Sequence, residues 1–417
     1  MTSKVLAGLR VIELSEVWAG PMAGSLLGDL GADVIKVESY PRNSQTRALV
    51  DGGMGSAPGD GPPYERSGIH HLPNRNKRNI TLNLRHDDGA EPFRRLVRGA
   101  DLLYEGYSAG TLERMGWGWD VLREINPRLV MVSMPGWGKA GPYQGFVTLG
   151  SGLDASAGHT AVRGYPGDPP EQTRSIYHSD ATGALTLVFA ALTGLRQRER
   201  TGEGCFIDLS QIEVLAAHLP GIFAEWTLLG RRPQPLGNVD PHIVPHDAYP
   251  AAGDDRWVFV AAENDAQWAA LAAVLGHIEW AAEGHAWSTV TGRLAARADI
   301  DAAITAFTRA HEASDAADAI QAAGAIAAPI VNAPEMFASP QLQAREWFHM
   351  VTHKYAGTNI MPGFLWSMAP DPPTWDRPTG LVGEHLDEVF AELGYSPADI
   401  EKFERDGVIG RSYALPG

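Results

Sequence analysis

Cysteine is almost absent: Cys205 is the only one in 417 residues. It excludes an internal disulfide framework and a multi-cysteine zinc site, and such usage fits a reducing cytosol. Basic residues are in deficit. The chain has 34 Lys and Arg against 50 Asp and Glu, a formal net charge of −16. That balance argues against a dedicated nucleic-acid binder and against docking to an anionic membrane. Long apolar runs are missing, and the longest, around 184–195, is too short to span a bilayer. Met1–Lys4 leads into Val5–Ile12 without an apolar stretch and a small-residue cleavage site. No secretory signal is expected, and the cytoplasm is the expected location. Metal patterns also fail. HExxH and His-x-His do not occur, and the one adjacent pair, His70 and His71, reads as a solvated or core pair. No metal site is expected.

What is present is globular. Hydrophobic residues make up 44% and charged residues 20%, which separates the chain from disordered sequences, and the length suits two domains. Short apolar runs at Arg10–Leu14, Ala32–Glu38, Asn79–Leu84, Asp101–Tyr104, Arg128–Met134 and Cys205–Leu209 read as strands. Helical segments at Pro21–Leu30, Asp87–Arg98, Thr111–Ile125, Ala181–Arg200 and Gln211–Leu229 alternate with them. That alternation predicts an α/β fold with a parallel sheet. Asp51–Pro63, rich in Gly and Pro, is expected to be a loop, and 136–174 shows no period at all. An alanine-rich segment, 250–335, predicts a second, α+β domain with a strand at Trp257–Ala261 and helices near Trp268–Leu275 and Ala302–Ala323. The expected organisation is a large domain over 1–230 completed by 381–417, a small domain over 231–335, and a return linker over 336–380. Two short helices are expected at Gly383–Gly394 and Pro397–Gly407.

Three motifs invite chemistry. Gly136-Trp137-Gly138-Lys139-Ala140-Gly141 is a GxGxxG after a predicted strand, but Pro142 follows and no helix N-terminus is in place for a pyrophosphate. A nicotinamide-dependent oxidoreductase is therefore the lesser alternative. Asn74–Asn79, with Arg75, Lys77 and Arg78, reads as a solvated loop or as a phosphate contact. Asp180 opens a helix that is apolar nearly all round, so that helix is expected to be buried. The simplest role of Asp180 is an N-cap. A partly desolvated carboxylate facing a glycine-rich loop is also a candidate nucleophile, and the two roles are compatible.

Leu6–Leu14, Ala19-Gly20-Pro21 and Leu30–Glu38 resemble the opening of the family III CoA-transferases, which include the α-methylacyl-CoA racemases. The resemblance continues through Asn76–Ile80, Gly110–Gly116, Asn126–Arg128, Gly136–Gly138 and Arg196–Asp208. It ends at Gly383–His385 and Asp406–Val408. It implies a Rossmann-like large domain built from both chain ends, a smaller domain joined by long linkers, and an interlocked homodimer. The implied reaction moves CoA from an acyl-CoA thioester to a carboxylic acid. No cofactor is permanently bound, and CoA itself is substrate and product. Asp180 matches the family nucleophile, which passes through a mixed anhydride and an aspartyl-CoA thioester. By block matching, Val17, Ala19, Lys77, Arg78, Tyr107, Arg114 and Met115 would contact CoA. The racemase alternative needs a histidine about thirty residues before the aspartate. Thr148–Ser151 supplies none, and His159 is too near.

Some positions depart from the family pattern. Gly106 precedes Tyr107 where an Asn is common, and Trp18 stands where formyl-CoA transferases carry glutamine. Gly237–Tyr249 replaces a glycine-run loop, making His242 and His246 candidates to face the substrate. Trp18 and Trp137 near the implied pocket point to a bulky or hydrophobic acyl group. CoA is a polyanion, yet the acidic balance is uneven. Residues 71–128 hold 10 Lys and Arg against 8 Asp and Glu, whereas 250–335 hold 4 against 12.

Overall fold

The computed structural model describes residues 4–52, 55–169, 171 and 177–415. The chain divides into two units. The first comprises Met1–Thr160, Arg174–Arg231 and Glu346–Gly417; the second comprises Ala161–Thr173 and Arg232–Arg345.

Six strands form the sheet of the first unit: β1 (Arg10–Leu14), β2 (Asp33–Ser39), β3 (Lys77–Leu82), β4 (Leu102–Glu105), β5 (Val130–Ser133) and β6 (Cys205–Asp208). All neighbours are parallel, in the order β3-β2-β1-β4-β5-β6. Their residues alternate between two cores, as the two-residue period of a strand requires. Ile12, Leu14, Ile35, Ile80, Leu103 and Met131 face Phe93, Leu96 and Leu122, and also Leu386, Val389, Phe390 and Ile400 near the C-terminus. Val11, Val34, Leu102, Tyr104, Val130 and Val132 face helices α1 (Ala19–Asp29) and α2 (His178–Thr201). The C-terminal helices Leu386–Glu392 and Pro397–Arg405 thus complete the core begun by β1.

Several expected elements are corrected. The helix expected over Thr111–Ile125 is two, Thr111–Arg114 and Trp119–Ile125, because Gly116 takes φ +84° between them. Gln211–Leu229 is likewise two, α3 (Gln211–Ala217) and α4 (Pro220–Leu229), since Pro220 has no N–H to continue a helix. The irregular stretch after Gly136 contains a helix, Gly150–Ser156. Nor is α2 buried all round: Ala184, Leu187, Val188 and Ala191 pack on the sheet, but Leu185 and Phe189 are exposed. Of the loop expected over Asp51–Pro63, residues 53 and 54 lie outside the described residues.

The second unit is a three-stranded antiparallel sheet, β7 (His246–Pro250), β8 (Trp257–Ala261) and β9 (Ile326–Ile330), in that order. Helices Asp265–Val274, Arg297–Thr308 and Ala313–Ala323 cover it around Trp268, Leu271, Ile300, Ile304 and Ile320. The segment expected to be a return linker is structured. Residues 336–345 end the second unit in two short helices, Ala333–Phe337 and Pro340–Ala344. The first unit resumes at Glu346 with a hairpin, Phe348–His353 paired to Gly357–Pro362. Among the described residues no single helix is long and apolar enough to cross a membrane.

Candidate active site

The strand order reverses between β1 and β4. At such a switch point the loops leaving the carboxyl ends of adjacent strands diverge and open a crevice. Here they are Glu16–Gly20 after β1 and Gly106–Ser108 after β4. Both line a cleft of about 110 Å³ with Gly136, Trp137, Gln144, Gly150, Asp180 and Gln211. Tyr107 also lines a second cleft of about 380 Å³, formed at the carboxyl ends of β2 and β3 by Ser39, Arg42, Leu82, Arg85 and Met115.

Asp180 lies in the first turn of α2, whose N-cap is Tyr177 in the left-handed region, φ +51°. The expected N-cap role is therefore not the one it plays. Its carboxylate faces the backbone N–H of Ala19, the first residue of α1. Burial pushes Asp180 up to about 6; the Ala19 N–H opposes this, and the charge of Asp154 adds to it. At neutral pH the group is still largely ionised, and a carboxylate of that basicity is a stronger nucleophile than an ordinary aspartate. The approach is close. A Cβ on Gly150 would lie 2.9 Å from Asp180 Oδ2, so only glycine leaves the carboxylate its place. Val17, two residues before Ala19, has φ +66°, a strained conformation for a β-branched side chain. It turns the chain from β1 into α1 and aims the Ala19 N–H. Trp18 packs edge-on to Tyr177, ring centroids 6.0 Å apart, and Trp137 packs against Tyr143 and Phe146.

Val17, Ala19, Trp18, Trp137, Tyr107 and Asp180 thus meet in one cleft, and Met115 lines the next. Arg114 is exposed on the short helix before Met115 and bonds Thr111 Oγ1 at 2.8 Å. Lys77 and Arg78 do not join them. They begin β3, and the five-residue run to Leu82 at the second cleft is about 16 Å. Lys77 Nζ is buried 2.8 Å from Glu13 Oε2 and donates to the carbonyls of Pro21 and Pro73. Lys36 and the Tyr104 hydroxyl hold the same carboxylate at 2.8 and 2.7 Å. Arg78 is fastened to Asp33, Glu388 and Glu392. The rest of the basic cluster is buried as well, Arg75 on Asp29, so neither the solvated loop nor the phosphate contact holds. His242 and His246 lie in the second unit. His242 is exposed, and His246 bonds the Asn238 carbonyl through Nδ1 at 2.6 Å and packs on Phe259. Gly136–Gly141 opens no helix, which removes the dinucleotide fingerprint.

Sequence reasoning missed Gly150, Asp154, Glu16, Arg42 and Arg85. Asp154 is fully buried, with His159 Nδ1 3.9 Å away. Arg42 pairs with Glu16 at 2.6 Å, and Arg85 is exposed. A signal for both arginines existed: each follows the carboxyl end of a parallel strand, where ligands of such sheets bind. Among the described residues no group of three or more His, Cys, Asp and Glu is placed to hold a metal.

Residues 6–386 match the description of CoA-transferase family III. The chain is 34% identical to a succinate–glutarate CoA-transferase of Agrobacterium fabrum, covering 93% of this chain and 95% of that one. It is 31% identical to a succinyl-CoA–D-citramalate CoA-transferase of Chloroflexus aurantiacus over 97% of this chain and 98% of that protein. A solved CAIB/BAIF family protein from Brucella suis superposes with a TM-score of 0.83 at 30% identity, covering 94% of this chain and all of that one. The chain belongs to CoA-transferase family III and is an enzyme of that kind, an acyl-CoA:carboxylate CoA-transferase.

Proposed function

We propose that Asp180 is the nucleophile of the transfer. The observation that carries this is a buried carboxylate, raised in basicity, set against the N-terminus of α1 in the switch-point cleft. An Asp180 oxygen attacks the thioester carbonyl of the donor. The C–S bond breaks, CoA leaves as thiolate, and a mixed anhydride remains. The thiolate attacks the aspartyl carbonyl, the anhydride C–O bond breaks, and the donor acid departs as carboxylate. The acceptor carboxylate then attacks the aspartyl-CoA thioester and expels the thiolate, which takes the acceptor acyl carbon and restores the Asp180 carboxylate. Every species attacking or leaving is an anion, so no proton is consumed. The N–H of Ala19, which faces this carboxylate, would steady the oxyanion that develops on the aspartyl oxygen when thiolate or carboxylate attacks the aspartyl carbon.

The acyl end of CoA occupies the first cleft, and the rest passes Tyr107 into the second. There Arg42 and Arg85, with Arg114 on the adjoining helix, meet the phosphates as charge-assisted donors. A homodimer completes the molecule. Helix α4 buries none of its residues in the single chain and exposes Phe223, Trp226, Leu228 and Leu229, an apolar surface of the kind that subunit contacts cover. The test is mass spectrometry of the peptide holding Asp180 after incubation with an acyl-CoA. A CoA adduct there, lost in Asp180→Ala together with activity, is expected; full activity in Asp180→Ala refutes the reading.

A further inference from the structure

The loop that brings Ala19 to Asp180 lies beside a buried charge. Glu13 of β1 is fully buried, and Ser15, Lys36, Lys77 and Tyr104, all buried as well, close around its carboxylate. Burial favours the neutral acid, but the two ammonium groups outweigh it and keep Glu13 ionised. These four residues also reach the two ends of the loop. At its start, Ser15 Oγ donates to Glu13 Oε1 at 3.0 Å, and Lys36 Nζ donates to the Ser15 carbonyl at 2.9 Å. At its end, where α1 begins, Tyr104 shares its hydroxyl proton between Glu13 Oε2 at 2.7 Å and the Gly20 carbonyl at 3.1 Å. Lys77 Nζ donates to the Pro21 carbonyl at 2.7 Å. The helix is pressed onto this cluster. A Cβ on Gly24 would lie 2.2 Å from Glu13 Oε2, and one on Gly20 would lie 2.4 Å from the Ser15 side chain. Between the two anchored ends sits Val17 with φ +66°. Such a backbone persists only where its surroundings over-determine it.

We propose that Glu13 is a positioning residue of the transfer: its buried carboxylate gathers Ser15, Lys36, Tyr104 and Lys77, so that both ends of the strained Glu16–Gly20 loop are clamped and the Ala19 N–H stays on Asp180. The proposal rests on Asp180 being the reacting carboxylate. Glu13 itself does not line the cleft. What it sets is the place of one N–H donor. That donor keeps the Asp180 carboxyl below where burial alone would put it, and it faces the oxygen on which the oxyanion develops. A donor shifted by a fraction of an ångström serves both tasks less well. Loosening the clamp therefore raises the basicity of Asp180 and slows the chemical step together. A buried cluster that only held the fold together would show neither effect.

Tyr104→Phe removes one hydroxyl from the clamp and keeps the ring in the core. The assay is exchange of isotopically labelled succinate into succinyl-CoA, since succinate or its thioester is named in both relatives. In Tyr104→Phe kcat should fall about tenfold while the KM of succinyl-CoA stays within about twofold. The acid limb of kcat/KM should move upward by about half a pH unit or more, because Asp180 loses part of a hydrogen bond to its charged form. Ser25→Ala is the control. It removes another buried hydrogen bond of α1, to the Arg75 carbonyl at 3.2 Å, farther along the helix. It should lower the thermal midpoint yet leave kcat and the limb in place. Ser15→Ala frees the other end of the loop and should repeat the Tyr104→Phe result; it decides the question where Tyr104→Phe does not fold. Lowered midpoints with kcat and limb unchanged in Tyr104→Phe and Ser15→Ala overturn the proposal, and so does an equal kinetic change in Ser25→Ala. In either case a CoA adduct on Asp180 leaves the Asp180 reading intact. Full exchange by Asp180→Ala overturns both.

Discussion

Replacing Asp180 by Asn should abolish transfer and at the same time stabilise the fold. The carboxyl rises from an ordinary 3.8 to about 6 because burial disfavours its charge. In the unfolded chain it ionises near pH 4. Between pH 4 and 6 the folded state holds a proton that the unfolded state has released. Stability is therefore lost as pH rises through that window, and the deficit is complete above it. A rise of that size corresponds to ~3 kcal/mol at pH 7.5. At pH 4.5 the wild-type group is mostly protonated in the folded state, and the deficit shrinks to ~1 kcal/mol. Asparagine has nearly the same shape, can accept from the Ala19 N–H, and never ionises. Urea unfolding of Asp180→Asn and wild type, followed by tryptophan fluorescence at both pH values, measures the difference directly. The variant should be more stable by up to ~3 kcal/mol at pH 7.5, about 5 °C in midpoint for a unit of roughly 300 residues, with the gap narrowing at pH 4.5. Loss of the transferase reaction follows because an amide cannot become the anhydride. A variant no more stable than wild type at pH 7.5, or a gap that ignores pH, would refute the account of a desolvated nucleophile.

Five other outcomes are expected. The pH profile of kcat/KM should show an acid limb near pH 6, where Asp180 in the free enzyme gains its proton, and a plateau above pH 7; a limb near 4 would contradict the burial of the group. Gly150→Ala, which sets a methyl 2.9 Å from Asp180 Oδ2, should cut kcat by about tenfold or more while the far-ultraviolet circular dichroism is kept. Lys77→Met should cost about 3–5 kcal/mol by breaking the buried cluster around Glu13, whereas Arg85→Ala should raise the KM of the CoA thioester with little change in stability. His71 and His353, ring centroids 4.2 Å apart, are both pushed down to about 4 by burial. The unfolded chain therefore takes up protons there that the folded one refuses, and stability should fall as pH drops from about 6.5 to 4, more shallowly in His353→Phe.

The parallel sheet was legible because all its strands but the edge strand β6 are largely buried on both faces and so read as short apolar runs; Arg10–Leu14 was placed to the residue. Two half-exposed stretches were not legible. His246-Asp247-Ala248-Tyr249-Pro250 and the hairpin from Phe348 show no apolar alternation, since their surfaces are half exposed. At the site, residue type alone misled. Lysine and arginine suit a phosphate, and they suit equally a buried carboxylate. What decides is a partner distant in sequence: Glu13 for Lys77, 64 positions earlier, and Glu392 for Arg78, 314 positions later. No local pattern around Asn76 shows these. Position in the topology carried more than charge did. The residues that gather near Asp180 follow the carboxyl ends of β1, β4 and β5, and Arg42 and Arg85 follow those of β2 and β3. A basic residue just after such an end reaches the crevice, whereas one that begins the strand is carried to the opposite edge. The same fold rule that places Tyr107 between the two clefts therefore makes Lys77 a part of the scaffold.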